Sequence, residues 1–574
     1  MFSSQNSQIN LAFSECRPLL WAAFWFGLFI NILMLAVPLY SLQVLDRVLT
    51  SGSLDTLLFL TLIVGAALLF MAVLQVFRSL VFNHIGRWLD DRLSSWIAST
   101  TVERTIQDPG LGNQPLRDLN SVRSFVTSPH FATLFDAPWA FIYFTVIYVI
   151  HVNLGMLVTA GAILLLILAL IAERIPSKAI AAANEEQIKA MQSFDAIVRN
   201  AEVVQSMDLL KNTSSKWSQH NQLWLTHIFA ANNMLTVITQ ITRALRLALQ
   251  VMTMCFGAYF ALSNEISPGA IIAVSILTAR ALSPFDSAAP LYQNVTNVKK
   301  ALSRLYELET HYASRQLTTT LPNVVGKLTL QKVTLESQVP NRWILKGINI
   351  EVGAGEAIGV IGPSGSGKTS LARVIVGVMR PTTGAVRLDG ATLQQWDRTQ
   401  LGEAIGYLPQ SVELFDGTIF ENIARMDSHA DDQAVIEAAN AAQVHDAILS
   451  YPRGYNTPIG PNGSLLSAGQ RQRIALARCF YGSPKLIVLD EPNSNLDGEG
   501  DIAFLKALEH AKSVGISTVT IAHRPSVLQV MDKVLVLQDG EAKLFGPTKE
   551  VVATLSAGSA KIQSIQSAVG RGNQ

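Results

Sequence analysis

From residue 137 to residue 172 the sequence contains no Asp, Glu, Lys or Arg. A helix crosses the roughly 30 Å hydrocarbon core of a bilayer with about 20 mainly apolar residues. This stretch is therefore long enough for two crossings, and the polar interruption at His151, Asn153 and Gly155 marks a short connection between them. Further runs at Leu19 to Gln43, Thr56 to Phe77 and Leu235 to Leu262 are apolar enough to span, and a weaker one runs from Gly269 to Pro284, interrupted by Arg280. Six spans follow. Composition agrees: 49% hydrophobic residues against 15% charged ones is too apolar for an ordinary soluble chain. The stretch from Leu19 is too long for a cleaved signal peptide and lacks a small-residue cleavage site, so it reads as an uncleaved first span.

Most of the Lys and Arg of this half lies in two long connections, residues 78–135 and 174–234, while the short ones near residues 46–55, 151–155 and 263–268 carry almost none. By the positive-inside tendency the long connections and both termini are cytoplasmic. Segments such as Arg87 to Val102 have amphipathic helical character, so the membrane helices are expected to continue into the cytosol. Arg243, Arg246 and Arg280 lie in or beside the last two spans, where a charge must face water or a partner. Arg243 and Arg246 fit snorkelling to the interface as well as a transport path; Arg280 is the stronger candidate for a path wall.

Net charge is +1, from 44 basic and 43 acidic residues, which offers no field for nucleic acid. Cys16, Cys255 and Cys479 have no metal-ligand spacing and read as packing residues.

Beyond a polar stretch at 313–325 the sequence changes to soluble α/β character. The strand-like Ile358–Ile361 leads into Gly362-Pro363-Ser364-Gly365-Ser366-Gly367-Lys368-Thr369 and then a helical run that opens with Ser370. This is a phosphate-binding loop in its strand–loop–helix setting. Inward N–H groups and the helix N-terminus receive the phosphates, Lys368 reaches the β- and γ-phosphates, and the Thr369 hydroxyl is a ligand for Mg²⁺. Downstream, Leu486-Ile487-Val488-Leu489 reads as a strand buried on both faces that ends in Asp490-Glu491. Ligands gather at the carboxyl ends of parallel strands. Asp490 is placed to hold Mg²⁺ and Glu491 to polarise the water that attacks ATP.

With these motifs the chain resembles the ATP-binding-cassette family. Leu466-Ser467-Ala468-Gly469-Gln470 is similar to the family signature, with Ala where Gly is commoner; Gln410 in Tyr407-Leu408-Pro409-Gln410 matches the Q-loop, Asp497 in Ser494-Asn495-Leu496-Asp497 the D-loop, and His523 the switch histidine. The resemblance implies an α-helical six-span exporter-type membrane domain fused to an α/β P-loop ATPase with an antiparallel β subdomain and a helical signature subdomain. The expected layout is an N-terminal cytoplasmic segment over 1–18, the membrane domain over 19–310, a linker over 311–326, the cassette over 327–556 and a tail over 557–574. It also implies ATP and Mg²⁺ as cofactors, with Gln410 beside Thr369 and Asp490 at the metal. His523 would meet the γ-phosphate, and Ser467, Ala468, Gly469 and Gln470 would meet ATP held by a partner subunit, so that one cassette per chain means a homodimer. Two features depart from the family pattern. Thr334 to Pro340 holds no aromatic residue to stack on adenine, leaving Trp343 as the substitute, and Gly460-Pro461-Asn462-Gly463 stands where many exporters carry an acid before the signature.

Leu42-Gln43-Val44-Leu45-Asp46-Arg47-Val48-Leu49, Phe135-Asp136-Ala137-Pro138-Trp139 and the segment Asp490 to Asp497 are similar to bacterial type I secretion ATPases, in particular the PrtD-like exporters of proteases and lipases. Only about 18 residues precede the first span, so the N-terminal peptidase-like domain of bacteriocin and haemolysin exporters is not expected. That likeness implies a bacterial inner-membrane exporter of an unfolded protein with a C-terminal signal. Its partners would be a periplasmic membrane-fusion protein and an outer-membrane channel, with membrane lipid around it and no nucleic acid. Two other readings share the architecture: an exporter of lipid or small molecules, and an ATP-gated channel. Glu491 and His523 speak against the channel, because gating by binding alone requires neither.

Overall fold

The computed structural model describes residues 7–106, 111–286, 288–312, 320, 324–337, 342–522 and 524–556. The chain divides into two compact units, Met1–Ala313 and Ser314–Gln574. Much of the expected linker, at 313–319 and 321–323, lies outside the described residues, as does the expected tail over 557–574.

In the first unit six helices among the described residues are long and apolar enough to cross a membrane: Arg17–Ser51, Leu54–Thr105, Pro129–Ile150, Val152–Ile171, Leu210–Leu262 and Pro268–Phe285. The third and fourth meet at His151, as the polar interruption predicts. The second helix has 52 residues and the fifth has 53. At 1.5 Å per residue each is about 80 Å long, more than twice the hydrocarbon thickness, so both continue well beyond the bilayer.

Several polar residues inside the spans are pinned to one another, as a medium without water favours. Asp136 accepts from Arg78 at 2.5 Å and from the Asn31 amide at 3.2 Å, and the Tyr143 hydroxyl donates to Asn31 Oδ1 at 2.8 Å. The first three spans are thereby tied together. Asp46 lies in a π-helical turn, Val44–Val48, and accepts from the Gly269 N–H at 2.7 Å and from the Ser267 hydroxyl. This ties the first span to the start of the sixth. A Cβ on Gly269 would lie 2.7 Å from both Asp46 Oδ1 and the Leu42 carbonyl, which accounts for glycine there. Two sequence segments that looked family-specific thus act as interhelical fasteners.

The N-terminal segment, expected only as polar and cytoplasmic, contains a helix, Gln8–Glu15, that buries Ile9 and Ala12. It packs with Leu89 and Leu93 of the second helix, Leu119 and Val122 of the helix Gln114–Val126, and Leu305 of the last helix, Ala288–Tyr312. Ser7 Oγ donates to Glu309 at 2.5 Å, and the Gln8 N–H donates to the same carboxylate. Of the cysteines, Cys16 and Cys479 are buried as expected, whereas Cys255 is exposed on the fifth span. Burial pushes the Cys479 thiol up to about 12, so it stays protonated.

The second unit has ten strands among the described residues: β1 (Leu328–Glu336), β2 (Trp343–Val352), β3 (Ala357–Ile361), β4 (Thr383–Leu388), β5 (Ala391–Thr392), β6 (Ile405–Leu408), β7 (Leu486–Asp490), β8 (Ser517–Ile521), β9 (Lys533–Gln538) and β10 (Glu541–Pro547). One sheet is antiparallel, in the order β2-β1-β4-β5, and the other runs β10-β9-β3-β8-β7-β6, parallel from β9 to β6. β3, β7 and β8 are central strands with helices over them; the runs of β3 and β7 are apolar without alternation for that reason, whereas β8 buries Ser517, Thr518 and Thr520 along its length.

One ion pair gives a test of packing in the first unit. Asp118 is buried and accepts from Arg304 Nε at 2.8 Å and Nη2 at 2.6 Å, while the Arg304 side chain is half exposed. Arg304→Met leaves the buried carboxylate without its cation, with only the Gln114 amide still donating to Oδ1 at 2.8 Å, and is expected to cost about 3 kcal/mol, whereas Asp118→Leu with Arg304→Met should recover most of it. Thermal unfolding midpoints of the purified chains check this; a double variant no more stable than Arg304→Met contradicts it.

Candidate nucleotide site

The phosphate loop connects β3 to the helix Lys368–Ile375. A Cβ on Gly362 would sit 2.0 Å from the Leu537 carbonyl of β9, so only glycine lets the loop leave the strand there. Gly367 has φ +99° and turns the chain into the helix. Pro363, Ser364 and Gly365 form the exposed rim of the loop, whereas Ser366 is buried and its N–H donates to the Pro363 carbonyl at 3.3 Å. Lys368 bends back over the loop, its ammonium donating to the carbonyls of Gly362 and Pro363, both at 2.9 Å. Burial pulls the Lys368 ammonium below its ordinary range, against the opposing pull of the Glu491 and Asp490 carboxylates. Thr369 and Ser370 occupy the first turn of the helix.

β8 lies between β3 and β7, so the loop and the Asp490-Glu491 pair flank the end of one strand. Asp490 is fully buried. Its Oδ1 accepts from the Thr369 hydroxyl at 3.3 Å, and its Oδ2 has no protein partner. Burial pushes the Asp490 carboxyl up, and Glu491 adds to that; Thr369, Arg373 and Lys368 pull it back. Glu491 follows with φ +52°, uncommon for a residue other than glycine, and its N–H donates to the Ile521 carbonyl of β8 at 3.2 Å. Its carboxylate accepts from the Gln410 amide at 3.0 Å. Gln410 is thus joined to Glu491, and no hydrogen bond among the described residues joins it to the Thr369–Asp490 pair. His523 lies outside the described residues, just past the end of β8. Trp343 is exposed at the start of β2.

The signature residues sit apart from this cluster. Ser467 caps the helix Ala468–Phe480: its hydroxyl accepts from the Gln470 N–H at 3.2 Å, and the Gln470 side chain accepts from the Ser467 N–H at 2.8 Å. Ser467, Ala468 and Gln470 are exposed and Gly469 is half-buried. No hydrogen bond among the described residues ties them to the phosphate loop of their own chain. Asp497 caps the next helix, Gly498–Ser513, accepting from the Gly500 N–H at 2.8 Å.

Sequence comparisons fit this geometry. The profile of the ABC transporter family matches residues 345–494, and that of the ABC transporter transmembrane region matches residues 20–284. The type I secretion system ATP-binding protein PrsD of Rhizobium meliloti is 37% identical over 550 residues, covering 96% of this chain and 94% of that protein. The chain belongs to the ABC transporters. The toxin RTX-I translocation ATP-binding protein of Actinobacillus pleuropneumoniae is 27% identical over 92% of this chain and 75% of its own length. In fold, a bacterial Atm1-family ABC exporter with ATP bound superposes with a TM-score of 0.79 at 22% identity, covering 94% of this chain and 96% of that one.

Two groups of residues in this ABC transporter have structural partners that the sequence did not indicate. Asn422 is fully buried, donates to the Phe415 and Thr418 carbonyls at 2.9 and 3.0 Å and accepts from Arg478 at 2.7 Å, bracing the segment that follows Gln410. Gln472 is buried on the inner face of the signature helix, in register with Ala475, Leu476 and Cys479. A polar residue on that apolar stripe was the available signal.

Asp490 carries a stability cost that can be measured. A carboxyl raised by folding gives stability that is complete below its unfolded pKa and is lost as pH rises through its folded one. A neutral amide is cheaper to bury. Asp490→Asn should therefore raise the nucleotide-free melting midpoint of the ATPase unit by about 2–4 °C at pH 7. The gain should shrink as the pH is lowered through the Asp490 pKa, and ATP turnover should be lost. A lower midpoint at pH 7 contradicts this account of Asp490.

Proposed function

We propose that this ABC transporter works as a homodimeric, ATP-driven exporter of a bacterial type I secretion system, seated in the inner membrane with its ATPase in the cytoplasm. The observation that carries the hydrolytic part is the linked set Thr369–Asp490 and Gln410–Glu491 beside the phosphate loop. The loop N–H groups and Lys368 bind the phosphates of ATP. The partnerless Asp490 Oδ2 and the Thr369 hydroxyl are hard oxygen donors of the kind Mg²⁺ takes, and with Gln410 they would hold the ion. When bound, the ion would neutralise phosphate charge. Glu491 orients the attacking water and takes up its proton, with Gln410 holding the carboxylate toward the site. His523 is proposed at the γ-phosphate by resemblance. Asp497 holds the D-loop turn against its helix.

Ser467, Ala468, Gly469 and Gln470 make no hydrogen bond to their own phosphate loop among the described residues and are proposed to close ATP in the partner subunit, as a two-fold dimer allows. The cargo reading leans on the names of the relatives: an unfolded protein with a C-terminal signal, passed to a periplasmic membrane-fusion protein and an outer-membrane channel. Such a chain carries unpaired backbone groups and must cross through a wet, protein-lined route. Arg280 is exposed on the sixth span, with no ion-pair partner among the described residues, and is proposed as part of that wall.

Two measurements test the proposal. Glu491→Gln should keep ATP affinity within a few fold and lower turnover by about 10²–10³, whereas Lys368→Ala should weaken ATP binding itself. Near-normal turnover in Glu491→Gln removes the base assignment. For the cargo, ATPase activity of the reconstituted chain should rise on adding the C-terminal segment of its secreted protein. Stimulation by phospholipid alone, with no response to any such segment, overturns the secretion reading and favours a lipid exporter.

A further inference from the structure

We infer that Gln472, on the inner face of the signature helix, is a positioning residue that sets the backbone carrying the general base Glu491. This rests on the proposed role of Glu491. The φ of +52° at Glu491 costs free energy for a side-chain-bearing residue and persists only where its surroundings impose it. On one side the Glu491 N–H is bound by the Ile521 carbonyl of β8. On the other, the Gln472 amide donates to the carbonyls of Glu491, at 3.3 Å, and Pro492, at 2.5 Å, while its oxygen accepts from the Asn495 N–H at 3.3 Å. Gln472 is 2% exposed, so these bonds do not compete with water. A glutamine is required: it has two donors for the carbonyls and an acceptor for the N–H, which neither methionine nor glutamate can match.

The same helix presents Ser467 and Gln470 outward. A shift of the signature helix toward a partner's ATP therefore pulls on the peptide that carries its own chain's Glu491. Each subunit's signature thereby adjusts the base of its own site while contacting nucleotide at the other.

The test uses the full chain reconstituted in lipid. Gln472→Met conserves volume and removes all three bonds; Gln472→Glu keeps the acceptor for Asn495 and removes both donors. In each, kcat should fall about 10- to 100-fold with KM for ATP within about twofold, the pattern of a lost transition-state alignment. A merely structural role would lower the melting midpoint and leave the kcat of the folded fraction intact, and that result overturns the inference. Mixed dimers identify the site affected. With Gln472→Met and Glu491→Gln in one subunit and a wild-type partner, activity should equal that of a Glu491→Gln and wild-type pair, because both lesions fall on one base. With the lesions on opposite subunits, it should fall about tenfold further. Equal activities, or the reverse order, overturn action on the subunit's own base. Turnover surviving in the Glu491→Gln homodimer would instead strike the base assignment, so the two failures are distinguishable.

Discussion

A polar group withdrawn from water must find a partner, and both units are arranged around that requirement. In the membrane unit one cluster meets it by closure: Arg78, Asp136, Asn31 and Tyr143 satisfy one another and join three spans. In the ATPase unit it is left deliberately incomplete, because Asp490 Oδ2 is buried without a protein partner. The first arrangement holds helices together. The second leaves a carboxylate oxygen unpaired beside the phosphate loop, the kind of position a hard cation takes.

The cost of that open position is spread over the surrounding elements. Asp490 ends a strand that is apolar throughout and hydrogen-bonded on both edges, which holds the carboxylate where burial disfavours its charge. Lys368, lowered by the same burial, turns to the loop carbonyls. Glu491 adopts a positive-φ backbone that is bonded on either side by Ile521 and Gln472, and its carboxylate accepts from Gln410. Strain and unpaired charge collect at one place, as expected of a site built for a transition state rather than for stability.

Much of the fold was legible because its signals are local. Apolar runs of spanning length marked the six spans, the first four free of charge and the last two interrupted by Arg243, Arg246 and Arg280, and the Gly-rich strand–loop–helix pattern marked the phosphate loop. The N-terminal helix was not foreseen: its capping partner, Glu309, lies about 300 residues away, and a short amphipathic stretch beside a span looks like an interfacial segment. Gln472 stands in the run Arg471-Gln472-Arg473 that continues the signature, but its role was not legible for a similar reason. Its partners, Glu491, Pro492 and Asn495, come from a different motif.

What the sequence by itself determined was the presence of a phosphate-loop motif and of six runs apolar enough to span, since both depend on residue type and spacing along the chain: glycines and a lysine in one loop, mainly apolar runs in the other half. What only the tertiary structure decided was how the pieces are held. Asp46 on the start of the sixth span, Asp136 on Arg78, Gln410 on Glu491 and Gln472 on the peptide behind it all join residues distant in sequence. A hydrogen bond depends on positions in space to a few tenths of an ångström, and spacing along the chain does not carry that information until the elements have packed.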